Sequence, residues 1–195
     1  ENIDGYIGNF KTKIKYGEDN KKENFEHGVI VVATGADEYR PKEYCFGQDL
    51  RIISQSEFEY VLNETSEIEE KKKIVMIQCV GSRNDEHPYC SKMCCAEAIK
   101  NALLAKQQNP NIEIIILYRD IRTYGFKEIY YRKAREKGVI FIRFDEKNPP
   151  KIIPKEKGVQ INVESPKLGL ISLDADLLVL SSGIEAPEHN ERLAK

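Results

Sequence analysis

The sequence lacks the features that would place it in a membrane or on nucleic acid. No apolar run approaches the roughly 18–20 residues needed to cross a bilayer. The opening residues, Glu-Asn-Ile-Asp-Gly-Tyr, have neither the basic start nor the apolar stretch of a secretory signal. Charge of one sign is missing too. Thirty Lys and Arg against 32 Asp and Glu leave a net charge of −2, which creates no field for nucleic acid or an anionic surface. A cytoplasmic protein with no nucleic-acid partner and no membrane span is expected. The chain does not begin with Met and is read as an internal piece of something longer. Its 195 residues suffice for one large domain or parts of two. The apolar fraction is 41% and the charged fraction 32%, yet dense runs such as Ile112-Glu-Ile-Ile-Ile-Leu117 still supply a core.

The cysteines are few but concentrated. Four of the five lie in Cys79-Val-Gly-Ser-Arg-Asn-Asp-Glu-His-Pro-Tyr-Cys90-Ser-Lys-Met-Cys94-Cys95. In a reducing compartment, clustered thiols point to metal or redox chemistry rather than structural disulfides. Cys45 stands apart and reads as an ordinary packed thiol.

Along the chain, Phe10, Thr12 and Ile14 alternate with lysines, as in a half-exposed strand, and residues 17–28 are polar and read as a hairpin loop. Gly28-Val-Ile-Val-Val-Ala-Thr-Gly-Ala36 reads as a strand buried on both faces. Its small terminal residues Ala33, Thr34 and Gly35 suit either a tight turn or close approach to a dinucleotide. The charged stretch Glu64–Lys73 is a connector. Beyond it the predicted order is a strand ending at Cys79, an amphipathic helix over Ala96–Lys106, a strand over Ile112–Tyr118, a basic helix over Phe126–Lys137 and a strand over Val139–Phe144. Strand–helix–strand–helix–strand with short links argues an α/β parallel sheet with right-handed crossovers. Residues 151–173 predict a small β-meander. A last apolar strand, 177–182, ends in Ser182-Gly183 and repeats the strand-to-glycine theme.

The cysteine stretch admits several chemistries. Iron–sulfur clusters take four thiolates from compact runs, and a helix amino terminus stabilises thiolates. Zinc also accepts four thiolates, but paired C-x2-C knuckles are absent. A redox disulfide lacks its C-x-x-C, and Cys79 would also pack well as a plain buried residue. Neighbouring Cys94 and Cys95 would point about 100° apart on a regular helix, so both reach one group only from an irregular first turn. His27, His87 and His189 form no ligand set, and His87 reads as a solvent-facing loop residue. No Gly-x-Gly-x-x-Gly follows the strand at 74–79, where a dinucleotide fold would need it; only Gly81 is present. Asp120 stands where a ribose-binding acid would, but it reads as a surface carboxylate without that turn.

Cys79-Val-Gly-Ser-Arg83, Pro88-Tyr-Cys-Ser-Lys-Met-Cys-Cys95 and Ala98-Ile-Lys100 resemble the A-type subunits of heterodisulfide reductase. Gly5-Tyr-Ile-Gly-Asn-Phe10 and Ser54-Gln-Ser-Glu-Phe-Glu59 are similar to the same family, and the resemblance covers essentially the whole chain. The segments at 29–35 and 177–183 resemble the two crossovers of thioredoxin-reductase-like flavoproteins. The family implies an oxidoreductase of anaerobes that transfers electrons through FAD and iron–sulfur centres. Its implied fold is a Rossmann-like parallel sheet, β-α-β-α-β plus the meander, inserted between segments of an incomplete FAD-binding domain. The implied division is residues 1–65 and 185–195 on the flavin side, with 66–184 as the inserted module. By resemblance, Cys79, Cys90, Cys94 and Cys95 hold a [4Fe–4S] cluster, while Ala33, Thr34, Gly35, Ser182 and Gly183 line the flavin side. The implied partners are other heterodisulfide-reductase-type or electron-transfer subunits. The isolated piece is expected to be inactive and not to retain FAD. Alternatives are an NAD(P)-dependent flavin disulfide reductase and a non-catalytic scaffold carrying structural metal.

Overall fold

The computed structural model describes residues 2–193, which fall into two compact units. The first comprises Glu1–Gly35 with Pro187–Lys195. It contains an antiparallel meander of β1 (Asn2–Tyr6), β2 (Asn9–Tyr16) and β3 (Lys21–His27). The polar stretch predicted as a loop is therefore partly strand. Phe10 pairs with His27 and Tyr16 with Lys21, and the alternation of β2 half-buries Phe10, Thr12 and Ile14.

Residues 28–36 depart from expectation. The Val-Ile-Val-Val run forms no strand, and Val29, Val31 and Val32 are 72%, 82% and 76% exposed. A strand buried on both faces needs hydrogen-bonded neighbours and cover above and below. Among the described residues no strand pairs with this run.

The second unit, Ala36–Ala186, is the α/β body. It opens with β4 (Asp37–Glu38), β5 (Ile52–Ser54) and α1 (Gln55–Glu64). Ser54 starts α1 with a capping box: its hydroxyl accepts from the Glu57 N–H, and Glu57 accepts from the Ser54 N–H at 2.8 Å. Then follow β6 (Lys73–Val80), α2 (Cys94–Gln108), β7 (Glu113–Tyr118), α3 (Glu128–Glu136) and β8 (Ile140–Arg143). A meander of β9 (Lys151–Pro154), β10 (Val159–Ser165) and β11 (Gly169–Ala175) leads to β12 (Leu177–Ser182) and β13 (Ile184–Glu185).

Five strands make one parallel sheet in the order β5-β12-β6-β7-β8. From β6 the chain winds through β7 to β8 on one side, while β12 and β5 lie on the other. The strand order thus changes direction between β6 and β12, the position where open α/β sheets place ligands outside the strand carboxyl ends.

The sheet is covered on both faces, which explains its uninterrupted apolar strands. Ile74, Met76, Ile114, Ile116 and Val179 pack with Phe58 and Leu62 of α1 and Ala98, Ile99 and Ala102 of α2. The alternate residues Val75, Ile77, Ile115, Leu117 and Leu178 face Val159, Ile161 and Val163 of the meander. Each fully buried aliphatic of this kind contributes about 1.5–3 kcal/mol. The α/β parallel sheet and the meander are as predicted. No helix among the described residues is long and apolar enough to cross a membrane.

Candidate functional site

The site is built at the carboxyl ends of β12, β6 and β7. Along most of its length β6 pairs evenly with β12, but Ile77 lies opposite Leu180 and Val80 opposite Ser182. One extra residue is therefore accommodated on β6 at Gln78–Cys79, a bulge, which re-aims a side chain where a regular strand would not. Cys79 has φ 64°, in the left-handed region that a non-glycine residue enters at a cost. Arg83 and Lys92, in the following loop, have φ 58° and 60°.

That loop is held by named contacts. Arg119 is 9% exposed, and its guanidinium donates to the carbonyls of Ser82 and Arg83 at 2.8 and 3.1 Å. Tyr89 donates to the Ile184 carbonyl at 3.1 Å, and the Ile184 N–H donates to Ser91 Oγ at 2.9 Å. His87 lies between Tyr39 and Tyr89, with Nδ1 2.9 Å from the Gly81 carbonyl and Nε2 3.2 Å from Glu185. It is half-buried and networked, contrary to the solvent-facing position expected of it. A side chain at Gly81 would collide with the Tyr39 ring, and one at Gly183 would meet Ser82 Cβ at 2.9 Å. The space that a dinucleotide turn keeps open is here filled by protein.

All five cysteines are free thiols. Cys94 and Cys95 start α2, whose amino terminus has no side-chain cap. Cys94 Sγ donates to the Ser182 carbonyl of β12 at 3.2 Å, whereas Cys95 Sγ lies 3.8 Å from the carbonyl of Asp120, just past β7. The two neighbouring thiols thus diverge to either side of Cys79 at the end of β6. Cys90 faces Arg122. Burial pushes the Cys94 thiol up to about 12, with Cys79, Cys95 and Cys90 adding to the effect. Burial likewise raises Cys95, and Cys79 and Cys90 add to it. The four sulfurs are electrostatic neighbours. Among the described residues, however, no three His, Cys, Asp or Glu side chains converge as ligands of a single metal ion.

Positive charge surrounds the thiols. Asp120 accepts from Arg83 at 2.8 Å and from Arg122 at 3.2 Å. Burial would raise the Asp120 carboxyl, but hydrogen bonds and charge from Arg122 and Arg83 hold it below the usual carboxylate value. It is committed to two arginines rather than open to a ribose.

The remaining predicted positions are divided between the units. Ala33, Thr34 and Gly35 belong to the first; Gly35 has φ 67° and nothing within 4 Å of where a side chain would stand. Ser182 and Gly183 belong to the second, packed beneath the cysteine loop, with Ser182 Oγ buried and unpartnered. Cys45 is half-buried beside the meander-side core.

No protein-family model matches the chain. It is 37% identical over 202 residues to the A-type subunit of the H(2)/formate:CoB-CoM heterodisulfide,ferredoxin reductase of Methanococcus maripaludis, an alignment covering 93% of this chain and 30% of that protein. The chain belongs to the heterodisulfide reductase A family. The A-type iron-sulfur subunit of the CoB–CoM heterodisulfide reductase of Methanocaldococcus jannaschii is also 37% identical, with the same coverages. The chain thus spans about 30% of the length of these curated relatives. Among solved structures it resembles a thioredoxin reductase from Gloeobacter violaceus, with a TM-score of 0.50, 17% identity, and coverage of 96% of this chain and 50% of that one. This likeness establishes the fold.

Within this heterodisulfide reductase A segment, several site residues escaped sequence reasoning. Tyr39, His87 and Arg119 shape the cysteine loop, and nothing in their local sequence marks them. Gln55, Asn101, Ser181 and Gln78 form a buried polar chain behind the strand ends, in which both glutamine amides donate to Ser181 Oγ. The one available signal was polar residues interrupting otherwise apolar strand and helix faces.

Proposed function

We propose that this chain is the electron-transfer segment of an iron–sulfur flavoprotein of the heterodisulfide reductase A type. In this reading Cys79, Cys90, Cys94 and Cys95 ligate a [4Fe–4S] cluster that exchanges electrons with FAD in the complete protein. The observation that carries the proposal is the distribution of thiols over three adjacent strand ends. Cys94 faces β12, Cys79 ends β6 and Cys95 faces the end of β7. Thiols close enough to raise one another's pKa, yet not converging on one ion, suit a group with several corners better than a single zinc.

The cluster, when bound, supplies one-electron storage. The chain's own residues supply the rest. The uncapped start of α2 offers free N–H groups and the positive end of its dipole. Arg83, Arg119 and Arg122 offset the negative charge of four thiolates. Tyr39, His87, Tyr89 and Ser91 hold the loop against β4 and β13 and limit water access. Ala33, Thr34, Gly35, Ser182 and Gly183 are this chain's contribution to the flavin side, and the chain by itself does not retain FAD. The electron-transfer partners are the other polypeptides of a reductase complex, as the relatives' designation as one lettered component among several suggests.

The test is metal content after strictly anaerobic purification. Cys94→Ala is expected to remove about four irons per chain, together with their visible and EPR signatures. Stoichiometric zinc at these thiols, with no iron lost on substitution, would leave a structural-metal scaffold instead.

A further inference from the structure

Arg83 is the loop residue whose side chain is aimed at a thiol. Its φ of 58° places it in the left-handed region, strain of about 1–3 kcal/mol that the surroundings must hold in place. They do so on three sides. The Arg83 N–H donates to the Tyr89 carbonyl at 3.1 Å, and its own carbonyl accepts from the buried Arg119 at 3.1 Å. Its Nη2 pairs with Asp120 at 2.8 Å, and Asp120 is in turn braced by Arg122. The other terminal nitrogen, Nη1, is 3.9 Å from Cys79 Sγ. An ordinary surface arginine would sample many rotamers and contribute little. This one is only about one-fifth exposed and is fixed at both backbone and side chain.

We propose that Arg83 sets the reduction potential of the group held by the cysteine stretch, by fixing an N–H donor and a positive charge on the Cys79 sulfur. The inference rests on the cluster reading above. A one-electron reduction makes the ligand sulfurs more negative without making or breaking a bond. A donor and a fixed cation at one sulfur therefore stabilise the reduced form more than the oxidised form and raise the potential. Asp120 fixes the direction of the guanidinium. Lysine in its place would keep the charge but lose the planar fork that reaches the carboxylate and the sulfur together.

The experiment is an anaerobic redox titration of the native protein, following the EPR signal that Cys94→Ala removes. Arg83→Gln is expected to shift the one-electron reduction equilibrium toward the oxidised form about tenfold, or ~59 mV, with iron content unchanged. Arg83→Lys is expected to shift it in the same direction by a smaller factor. An unchanged potential in Arg83→Gln with its iron intact overturns the role of Arg83 and leaves the cluster reading standing. If Arg83→Gln loses its iron, Arg83→Lys decides by the same criterion. If Cys94→Ala changes neither iron nor EPR signal, the cluster reading fails and this inference falls with it.

Discussion

Nε2 of His87 lies 3.2 Å from Glu185 while its Nδ1 lies 2.9 Å from the Gly81 carbonyl, so one imidazole ties the cysteine loop to β13. His87→Ala removes both contacts and the ring packed between Tyr39 and Tyr89. A loss of about 1–2 kcal/mol is expected, with local opening of the loop. Thiol-labelling of the metal-free protein checks this: Cys90 should be modified faster in His87→Ala than in wild type. Equal labelling rates would remove His87 from the loop's supports.

Alkaline pH should weaken the metal-free protein. Burial, followed by neighbouring thiols, lifts Cys94 from 9.0 to about 12; burial, followed by Glu43, lifts Tyr44 from 10.0 to about 12. Both groups hold their protons longer folded than unfolded. Their stabilisation is therefore complete below about pH 9 and declines as pH rises toward 12, by at most ~1.4 kcal/mol per pH unit for each group. Urea unfolding at pH 8 and pH 10.5 measures it, and coincident midpoints would contradict the assignment.

Gly81→Ala combines two costs, a left-handed φ of 65° and a collision with the Tyr39 ring. About 1–3 kcal/mol is expected to be lost. Adding Tyr39→Ala removes the collision but not the backbone cost, so the double variant should be more stable than the sum of the two single losses predicts. Strict additivity in chemical denaturation would show that the ring and the glycine do not compete for the same space.

Ser181→Ala strikes the polar chain behind the strand ends. Ser181 Oγ accepts from Gln55 at 2.9 Å and from Gln78 at 2.7 Å, and both glutamines are 1% exposed. Each orphaned donor costs about 1–3 kcal/mol, far more than an exposed Ser→Ala change. A midpoint within error of wild type in urea would indicate that the amides find other partners.

Much of the body was legible because its signals are local and redundant. The runs at 74–77, 114–117 and 177–180 admit little but buried parallel strands, and Ala98, Ile99 and Ala102 mark the core face of α2. The Val-Ile-Val-Val run at 29–32 carries the same composition yet forms no strand, because composition reports fitness for burial and not the presence of pairing partners. The cysteine stretch was legible as a site, and its place at the end of β6 followed from the apolar run before it. The bulge at Gln78–Cys79 was not, since it arises from registering β6 against a strand far along the chain. Arg119 was read as solvated for the same reason: its partners at Ser82 and Arg83 become neighbours only when β6 and β7 pair.

The central place of β12 governs the order in which this molecule can be completed. It fills the slot between β5 and β6, yet it is made after α2, β7, α3, β8 and the entire meander. Until it arrives, β6 has an open edge lined by Ile74 to Ile77, and β5 has no partner in the sheet. Pairing at such separation closes slowly. An unfinished chain therefore has a hydrophobic gap at the very edge where Cys79 will sit, and that edge is the natural ground for a chaperone or for misassembly. The cysteine site can be finished only when the sheet is, because Cys94 takes its backbone partner, Ser182, from the last strand to arrive.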